Sequence, residues 1–260
     1  APGLNAVDAD AHRSLADGER AVQYARKALS AARDARNLIL EVEALRCLAL
    51  ALREIGELDD AEAQLGEALN ALGRVDRQRL LAEISVLLSA VLQSRGALDE
   101  ADAALAKSCR AYAALPDLGG LSDALRQRGE IQMAHGIYTR ALAFAEEASR
   151  QAVLANDISM QIKAMLLAAR ASAAAGEART AHQTMEEAFQ LVAPDTPTTE
   201  RADCMVVLAD LLEAGVLTSD RDTSSLLEEA AEIYRELGAT SEADRLSRRL
   251  KAMSRAADVP

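Results

Sequence analysis

Residues 43–69 read EALRCLALALREIGELDDAEAQLGEAL. Apolar residues recur at intervals of three and four on both sides of Gly56, which is the pattern of two amphipathic helices joined by a tight turn. A glycine there suits the left-handed residue that ends a helix. Asp59 and Asp60 place negative charge on the first turn of the second helix, where the helix dipole favours it. The stretch therefore predicts a helical hairpin.

The same pattern returns every forty residues. The turn glycines are Gly56, Gly96, Gly136 and Gly176, with Gly215 following after thirty-nine residues. The small residues seven before the glycines are Ala49, Ser89, Gly129 and Ala169. Five residues after them come Ala61, Ala101, Ala141 and Ala181, with Ala21 in register before these. Twelve residues after the glycines come Ala68, Ser108, Ala148 and Ala188, with Ala28 in register. Repeats of this length are typical of helical solenoids.

Composition supports an all-α fold and narrows the function. Aromatic residues make up 2% of the chain, and its net charge is −12 with a pI near 4.8. Such an acidic chain repels phosphate backbones, so we expect no direct nucleic-acid binding. No apolar run approaches the ~20 residues that a membrane-spanning helix needs, so we expect no membrane contact. Three cysteines without metal-ligand spacing favour buried thiols in a reducing cytoplasm.

The spacing of the small residues resembles that of the tetratricopeptide (TPR) family. The family places a large apolar residue eleven before the turn glycine, where Leu45, Leu125 and Met165 fit and Ser85 does not. The usual period is ~34 residues. The longer period here is similar to TPR variants of MalT-like and Rap-like bacterial regulators. The resemblance covers roughly residues 17–237. It implies a right-handed α-α superhelix that holds a peptide or protein segment in its concave groove.

We expect a single solenoid domain over residues 1–260 with about six helical hairpins. The repeats fall approximately at 1–36, 37–76, 77–116, 117–156, 157–196 and 197–238, followed by a capping helix over 240–256. Residues 4–16 are expected to supply a short or partial first helix, since apolar side chains recur there at helical spacing. The capping helix carries Leu246, Leu250 and Met253 on one face. That face either covers the sixth unit or forms a homodimer.

Catalytic and metal-binding patterns are missing from the sequence. His12, His135 and His182 lack metal-ligand spacing, so we interpret them as surface or helix-end residues. No phosphate-binding, dinucleotide-binding, zinc-protease or nucleophile-elbow motif occurs. We therefore expect a non-catalytic protein without a cofactor, and an enzyme with an unrecognised site is the remote alternative.

The TPR resemblance also implies which side chains line the groove. In that family the first helix of each unit contributes residues about 13, 10, 6 and 3 positions before the turn glycine. The residues selected are Glu43, Arg46, Arg53, Glu83, Gln93, Arg126, Glu130, Lys163, Arg170, Met205 and Leu212. The prediction is a groove with arginines suited to carboxylates, grading to an apolar end. Local pairing of these arginines with glutamates of their own helix is the competing interpretation.

The chain starts without Met, so we expect it to come from a longer or processed protein. Its expected role is the sensor or interaction region of a bacterial transcriptional or signalling regulator. The alternative is a standalone adaptor or assembly factor without an effector domain.

Overall fold

Helices make up nearly all of the chain that is described. This computed structural model describes residues 2–73, 77–193 and 196–257, with side chains described between residues 17 and 255 of those ranges. No β-strand occurs within them. The helices are α1 (Pro2–Asp34), α2 (Leu38–Glu54), α3 (Leu58–Leu72), α4 (Gln78–Ser94), α5 (Leu98–Ala114), α6 (Leu118–Ala134), α7 (Tyr138–Ala155), α8 (Ile158–Ala174), α9 (Ala178–Leu191), α10 (Thr199–Glu213), α11 (Thr223–Glu236) and α12 (Thr240–Ala257). The predicted all-α fold class is confirmed.

The chain forms two compact units, Ala1–Gly120 and Leu121–Pro260. In the first unit α2 packs with α3 and α4 packs with α5, while α3 also contacts α4. In the second unit α8 packs between α7 and α9, α10 packs with α11, and α11 packs with α12. A single domain over 1–260 stays a prediction. We call α2, α4, α6, α8 and α10 the A helices, and α3, α5, α7, α9 and α11 the B helices.

Each A helix ends at its predicted glycine. Gly56 and the four corresponding glycines all have positive φ, between 67° and 84°. The residue after each glycine donates a backbone hydrogen bond to a carbonyl five residues earlier, as Glu57 does to Leu52 at 2.9 Å. This is the bond that closes a Schellman-type helix end. The turn chemistry expected from the sequence therefore forms the hairpins.

The small residues lie where helices cross. The alanines five residues after the first four turn glycines are all 0% exposed, and Ala49, Ser89 and Ala169 are buried as completely. A Cβ on Gly129 would lie 2.7 Å from Cδ2 of Leu167. Larger side chains at these positions would push the helices apart, since protein interiors leave little free volume.

The N-terminal end differs from the expected short helix followed by a turn. Pro2–Asp34 forms one helix of 33 residues, without a break. Gly18 packs closely against α2, because a Cβ there would lie 2.5 Å from Cγ2 of Ile55. The first predicted repeat is thus one long helix rather than a hairpin.

Candidate functional site

In each unit, a row of positions on the A helices is neither buried like the core nor fully exposed. We call this row the A-helix face of that unit. It comprises residues 43, 46, 50 and 53 of α2 and the residues 40 positions later in the first unit, and the residues 80, 120 and 160 positions later in the second. Its side chains are half-buried with three exceptions: Lys163 and Glu213 are exposed, and Leu166 is buried. Most residues directly before and after these positions are buried, whereas Cys47 and the residue after the last position of each helix are exposed. Helix packing therefore fixes which side chains the A helices present.

In the first unit, the A-helix face carries a local ion pair on α2. The Nε of Arg46 donates to Glu43 at 2.9 Å, and this bond together with the nearby carboxylates raises the pKa of Arg46. Arg53 makes no ion pair or hydrogen bond with any residue that the structure describes. On α4, Gln93 donates to Ser89 Oγ at 3.1 Å. Glu83 is the one charged residue of α4 on this face, and its charge contributes to the raised pKa of Arg46.

In the second unit, Arg126 and Glu130 do not form the close pair that their spacing suggests. Arg126 instead binds Asp123 of its own helix at 2.7 Å, while its nearest nitrogen lies 3.9 Å from Glu130. Glu130 binds Arg170 of α8, with 2.5 Å between Oε1 and a guanidinium nitrogen. Local pairing therefore holds for Arg46, and for Arg126 with Asp123 in place of Glu130, whereas Glu130 links two A helices.

On α10, the predicted groove residue Met205 is buried. Met205 is 1% exposed and lies in an apolar core with residues of α11 and α12, and Leu212 packs against two apolar clusters. The small residue of α10 is Ala209, forty after Ala169, and it is completely buried. The face of α10 is therefore formed by Asp203, Val206, Asp210 and Glu213. Gly215 lies thirty-nine rather than forty residues after Gly176. The positions 13, 10, 6 and 3 before Gly215 are therefore shifted by one residue from the corresponding positions of α8, and they fall on a different side of α10.

These α10 carboxylates replace the predicted apolar end with an acidic one. Asp203 accepts a hydrogen bond from the hydroxyl of Tyr234, and burial raises the pKa of its carboxyl despite that bond and the nearby charge of Lys163. Arg249 of α12 binds Asp210 at 2.6 Å and Glu213 at 2.7 Å. Opposite charges thus connect α6 with α8 and α10 with α12 by direct contact, and α8 with α10 at longer range.

Glu200, at the start of α10, adds a further charge beside this row. The hydroxyl of Ser159 donates to its Oε1 at 2.5 Å, and that hydrogen bond lowers the pKa of the Glu200 carboxyl. The charge of Lys163 acts in the same direction. The start of α10 therefore keeps a stable negative charge next to the lysine of α8.

Side chains suited to metal binding or catalysis are few in the described part of the chain. No cluster of three or more His, Cys, Asp or Glu side chains there is arranged to hold a metal ion. Cys109 and Cys204 are buried, Cys47 is exposed, and burial raises the pKa of Cys204 to about 12. His182 lies 3.6 Å from Glu186 on an exposed helix surface. None of the described helices is both long and apolar enough to cross a membrane.

Solved structures share this arrangement of helices. Aspartyl phosphate phosphatase F from Bacillus subtilis matches with a TM-score of 0.65 at 12% identity, over 92% of this chain and 68% of that one. A Podosopora anserina kinesin-light-chain-type protein with nearly identical TPR-like repeats matches with a TM-score of 0.51 at 15% identity, over 84% and 97% of the two chains. The fold is that of a TPR-like solenoid.

A third TPR-like solenoid among the matches is a Rap protein complexed with Competence and Sporulation Factor. Its TM-score is 0.53 at 16% identity, over 88% of this chain and 73% of that one. No protein-family model matches the sequence, and no curated protein does either. The predicted TPR resemblance is confirmed at the level of the fold.

The TPR-like solenoid here lacks the asparagines of the carboxylate clamp that some TPR proteins use. That motif places Asn nine residues before the turn glycine, where this chain has Cys47, Leu87, Gln127 and Leu167. Leu87 and Leu167 are buried in the core, 8% and 1% exposed. These four positions therefore provide no asparagine for such a clamp.

Proposed function

We propose that this TPR-like solenoid is a non-catalytic scaffold that binds a peptide or protein segment on its A-helix face. The observation that carries the proposal is the linked set of half-exposed charges in the second unit. Arg126, Glu130, Arg170 and Asp203 project from three successive A helices at positions fixed by packing. A partner segment would meet preformed donors and acceptors along one row.

The chemistry of the row suits an extended segment that carries both charges. The guanidinium groups of Arg126 and Arg170 can donate to carboxylates or backbone carbonyls. The carboxylates of Asp203 and Glu213 can accept from backbone N–H groups or from lysine and arginine. Because neighbouring side chains already hold these groups in place, binding would cost less conformational entropy than ordering free surface side chains.

The Rap complex with Competence and Sporulation Factor supports the proposal by analogy, since a related fold carries a bound factor. By the same analogy, this chain is the sensor or interaction region of a larger bacterial regulator in the reducing cytoplasm. A bound segment would then bias an attached domain by favouring one arrangement of the helices. The alternative is a standalone adaptor. Reading the gene on both sides of these 260 residues separates the two, because an effector module in frame supports only the first.

Peptide selection followed by charge reversal tests the site. A library of random peptides displayed on phage is selected against the chain, and the peptides that bind are synthesised with a fluorescent label. Their affinity is then measured by fluorescence anisotropy for the original chain and for the double variant Arg126→Glu/Arg170→Glu. Reversing these two charges should weaken binding by about a hundredfold, since each charge-assisted contact contributes about 1.5 kcal/mol.

The matched control is Arg150→Glu on the B helix α7. Arg150 also forms an ion pair, with Glu147 at 2.6 Å, but it lies 61% exposed and off the A-helix face. The control should bind the peptides with unchanged affinity. Equal affinity for all three proteins, with each shown to be folded by circular dichroism, would contradict the proposal.

A further inference from the structure

The first helix leaves uncovered a position that every later repeat buries. Ala28 of α1 stands in the column of small residues that continues with Ala68, Ser108, Ala148 and Ala188. All four later residues are 0% exposed, whereas Ala28 is exposed. In the later repeats an A helix precedes the B helix and packs against it. Within the residues that the structure describes, no A helix precedes those around Ala28, because Pro2–Asp34 is a single helix.

The surface of α2 that lies next to Ala28 is also exposed. Cys47 is exposed, although its counterparts Leu87, Leu167 and Val207 are 8%, 1% and 9% exposed. Leu40, one helical turn away from Ala44, is 54% exposed. Ala28, Leu40 and Cys47 line one apolar cavity of about 440 Å³ between α1 and α2. We call this surface the open platform.

The next repeat indicates what kind of segment would cover the open platform. There, the corresponding surface of α3 and α4 is covered by α2, which inserts Leu45, Leu48 and Leu52 into the shared core. The open platform therefore fits an amphipathic helix with apolar residues at intervals of three and four. An exposed apolar surface of this kind favours association.

A helix with that pattern exists in the N-terminal half of α1. Leu4, Val7, Ala11 and Leu15 recur at intervals of three, four and four residues. The same series continues through Val22 and Ala25, which pack into the core of the first unit. Because α1 is unbroken, its residues 4–15 extend along the helix axis by ~1.5 Å per residue and cannot turn back onto the platform of their own chain.

We propose that the open platform is filled by residues 4–15 of a second copy of this chain. Two copies would exchange their N-terminal segments, so that each segment completes the first repeat of the other. Exchange of an identical element between protomers requires no new type of contact, since the element takes a place that the fold already provides in later repeats. Within the described residues, the first repeat lacks this helix unless the partner copy supplies it.

Disulfide trapping tests the exchange, because Cys47 is a natural thiol on the platform and the other two cysteines are buried. Ala11→Cys and Val7→Cys each place a thiol in the apolar series, and Ala9→Cys places one on the opposite side of the same helix as the matched control. Equal amounts of ¹⁴N- and ¹⁵N-labelled protein are mixed, refolded together and oxidised mildly, and linked peptides are identified by mass spectrometry. Light-scattering chromatography of the unmodified chain measures its mass against the 27.6 kDa of one copy.

The exchange predicts a dimer and mixed-isotope links from residue 11 or 7 to Cys47, about tenfold more abundant than links from residue 9, since a disulfide needs closely apposed Cβ atoms. Adding Cys47→Ser should remove those links. Links confined to one isotope would show that the segment folds back on its own chain, and would overturn the proposal. A monomer, or a dimer without links to Cys47, would overturn it as well.

Discussion

Helices α8 and α10 have the same packing but opposite charges. Lys163 and Arg170 of α8 stand exactly one period before Asp203 and Asp210 of α10. Every buried residue of α10, including Ala209, lies forty residues after a buried residue of α8, although α8 also buries Leu166, Ala168 and Ser172. Packing therefore sets the orientation of an A helix, and the charges it presents vary freely from one repeat to the next.

The difference in charge links neighbouring helices. Glu130 of α6 binds Arg170 of α8, and Arg249 of α12 binds both Asp210 and Glu213 of α10. In the first unit, α4 presents one charge, Glu83, which acts on Arg46 of α2 at longer range, and its other positions carry Val86, Ala90 and Gln93. The second unit consequently holds the more strongly polar candidate site.

The largest expected effect is on the free energy of unfolding, and it shows whether Met205 or Val206 of α10 faces the core. Met205→Ala removes a side chain that is 1% exposed, so it should lower the free energy of unfolding by about 2–5 kcal/mol. Val206→Ala removes a half-buried side chain and should cost less than half as much. Urea unfolding followed by circular dichroism measures both. A larger loss for Val206→Ala than for Met205→Ala would restore the orientation counted from Gly215.

The second prediction concerns the link between α6 and α8. Arg170→Glu places two carboxylates together at residues 130 and 170 and should lower the free energy of unfolding by about 1 kcal/mol, because the pair is partly exposed. Glu130→Arg in the same chain should recover most of that loss. Urea unfolding of the single and double variants forms a double-mutant cycle. Additive effects would show that the two side chains do not interact.

The third prediction uses the burial of Asp203. Its raised pKa means that the folded state favours the protonated carboxyl, so its titration reduces stability as pH rises through and above the ordinary Asp pKa. Asp203→Asn should therefore stabilise the chain at pH 7, and the advantage should fade as pH falls below 4. The amide oxygen can still accept the hydrogen bond from Tyr234. Urea unfolding of both proteins between pH 3 and pH 7 measures this difference in stability. If the stabilisation by Asp203→Asn grew at low pH, burial would not be the cause of the raised pKa.

The smallest expected effect is the stability that the Ser159–Glu200 hydrogen bond contributes, and its pH dependence should be opposite to that of Asp203. The hydrogen bond from Ser159 lowers the pKa of Glu200, so it contributes stability above the ordinary Glu pKa and loses that contribution as pH falls through the lowered value. Ser159→Ala should be slightly less stable than the original chain at pH 7, and this deficit should be smaller at pH 3. A deficit of equal size at both pH values would assign the role of Ser159 to packing instead.

The sequence predicts the hairpins because turn glycines and small residues have local signatures. Positive φ at Gly56 and the burial of Ala61 follow directly from those signatures. The same spacing selects half-buried positions at Arg46 and Arg126. On α10 the spacing selects the buried Met205 instead. The turn glycine after α10 comes one residue early, whereas the packing of the helix keeps the forty-residue period.

Contacts between repeats could not be predicted with equal success. The pairing of Glu130 with Arg170 competes with the local spacing of Arg126 and Glu130, and side-chain geometry decides between them. Tyr234 reaching Asp203 depends in turn on how α11 packs against α10. The unbroken path of α1 has no turn signal of its own, since an amphipathic pattern suits one long helix as well as two short ones.

The most direct test of the binding surface measures thiol protection by a selected peptide. Val206→Cys places a thiol on the A-helix face of α10, and Val153→Cys places one on α7, where the valine is 54% exposed. Both are made with Cys47→Ser, and their iodoacetamide labelling rates are measured with and without a peptide from the phage selection. Binding on the A-helix face predicts slower labelling at residue 206 and an unchanged rate at residue 153. Protection at residue 153 alone would place the binding site elsewhere and contradict the account.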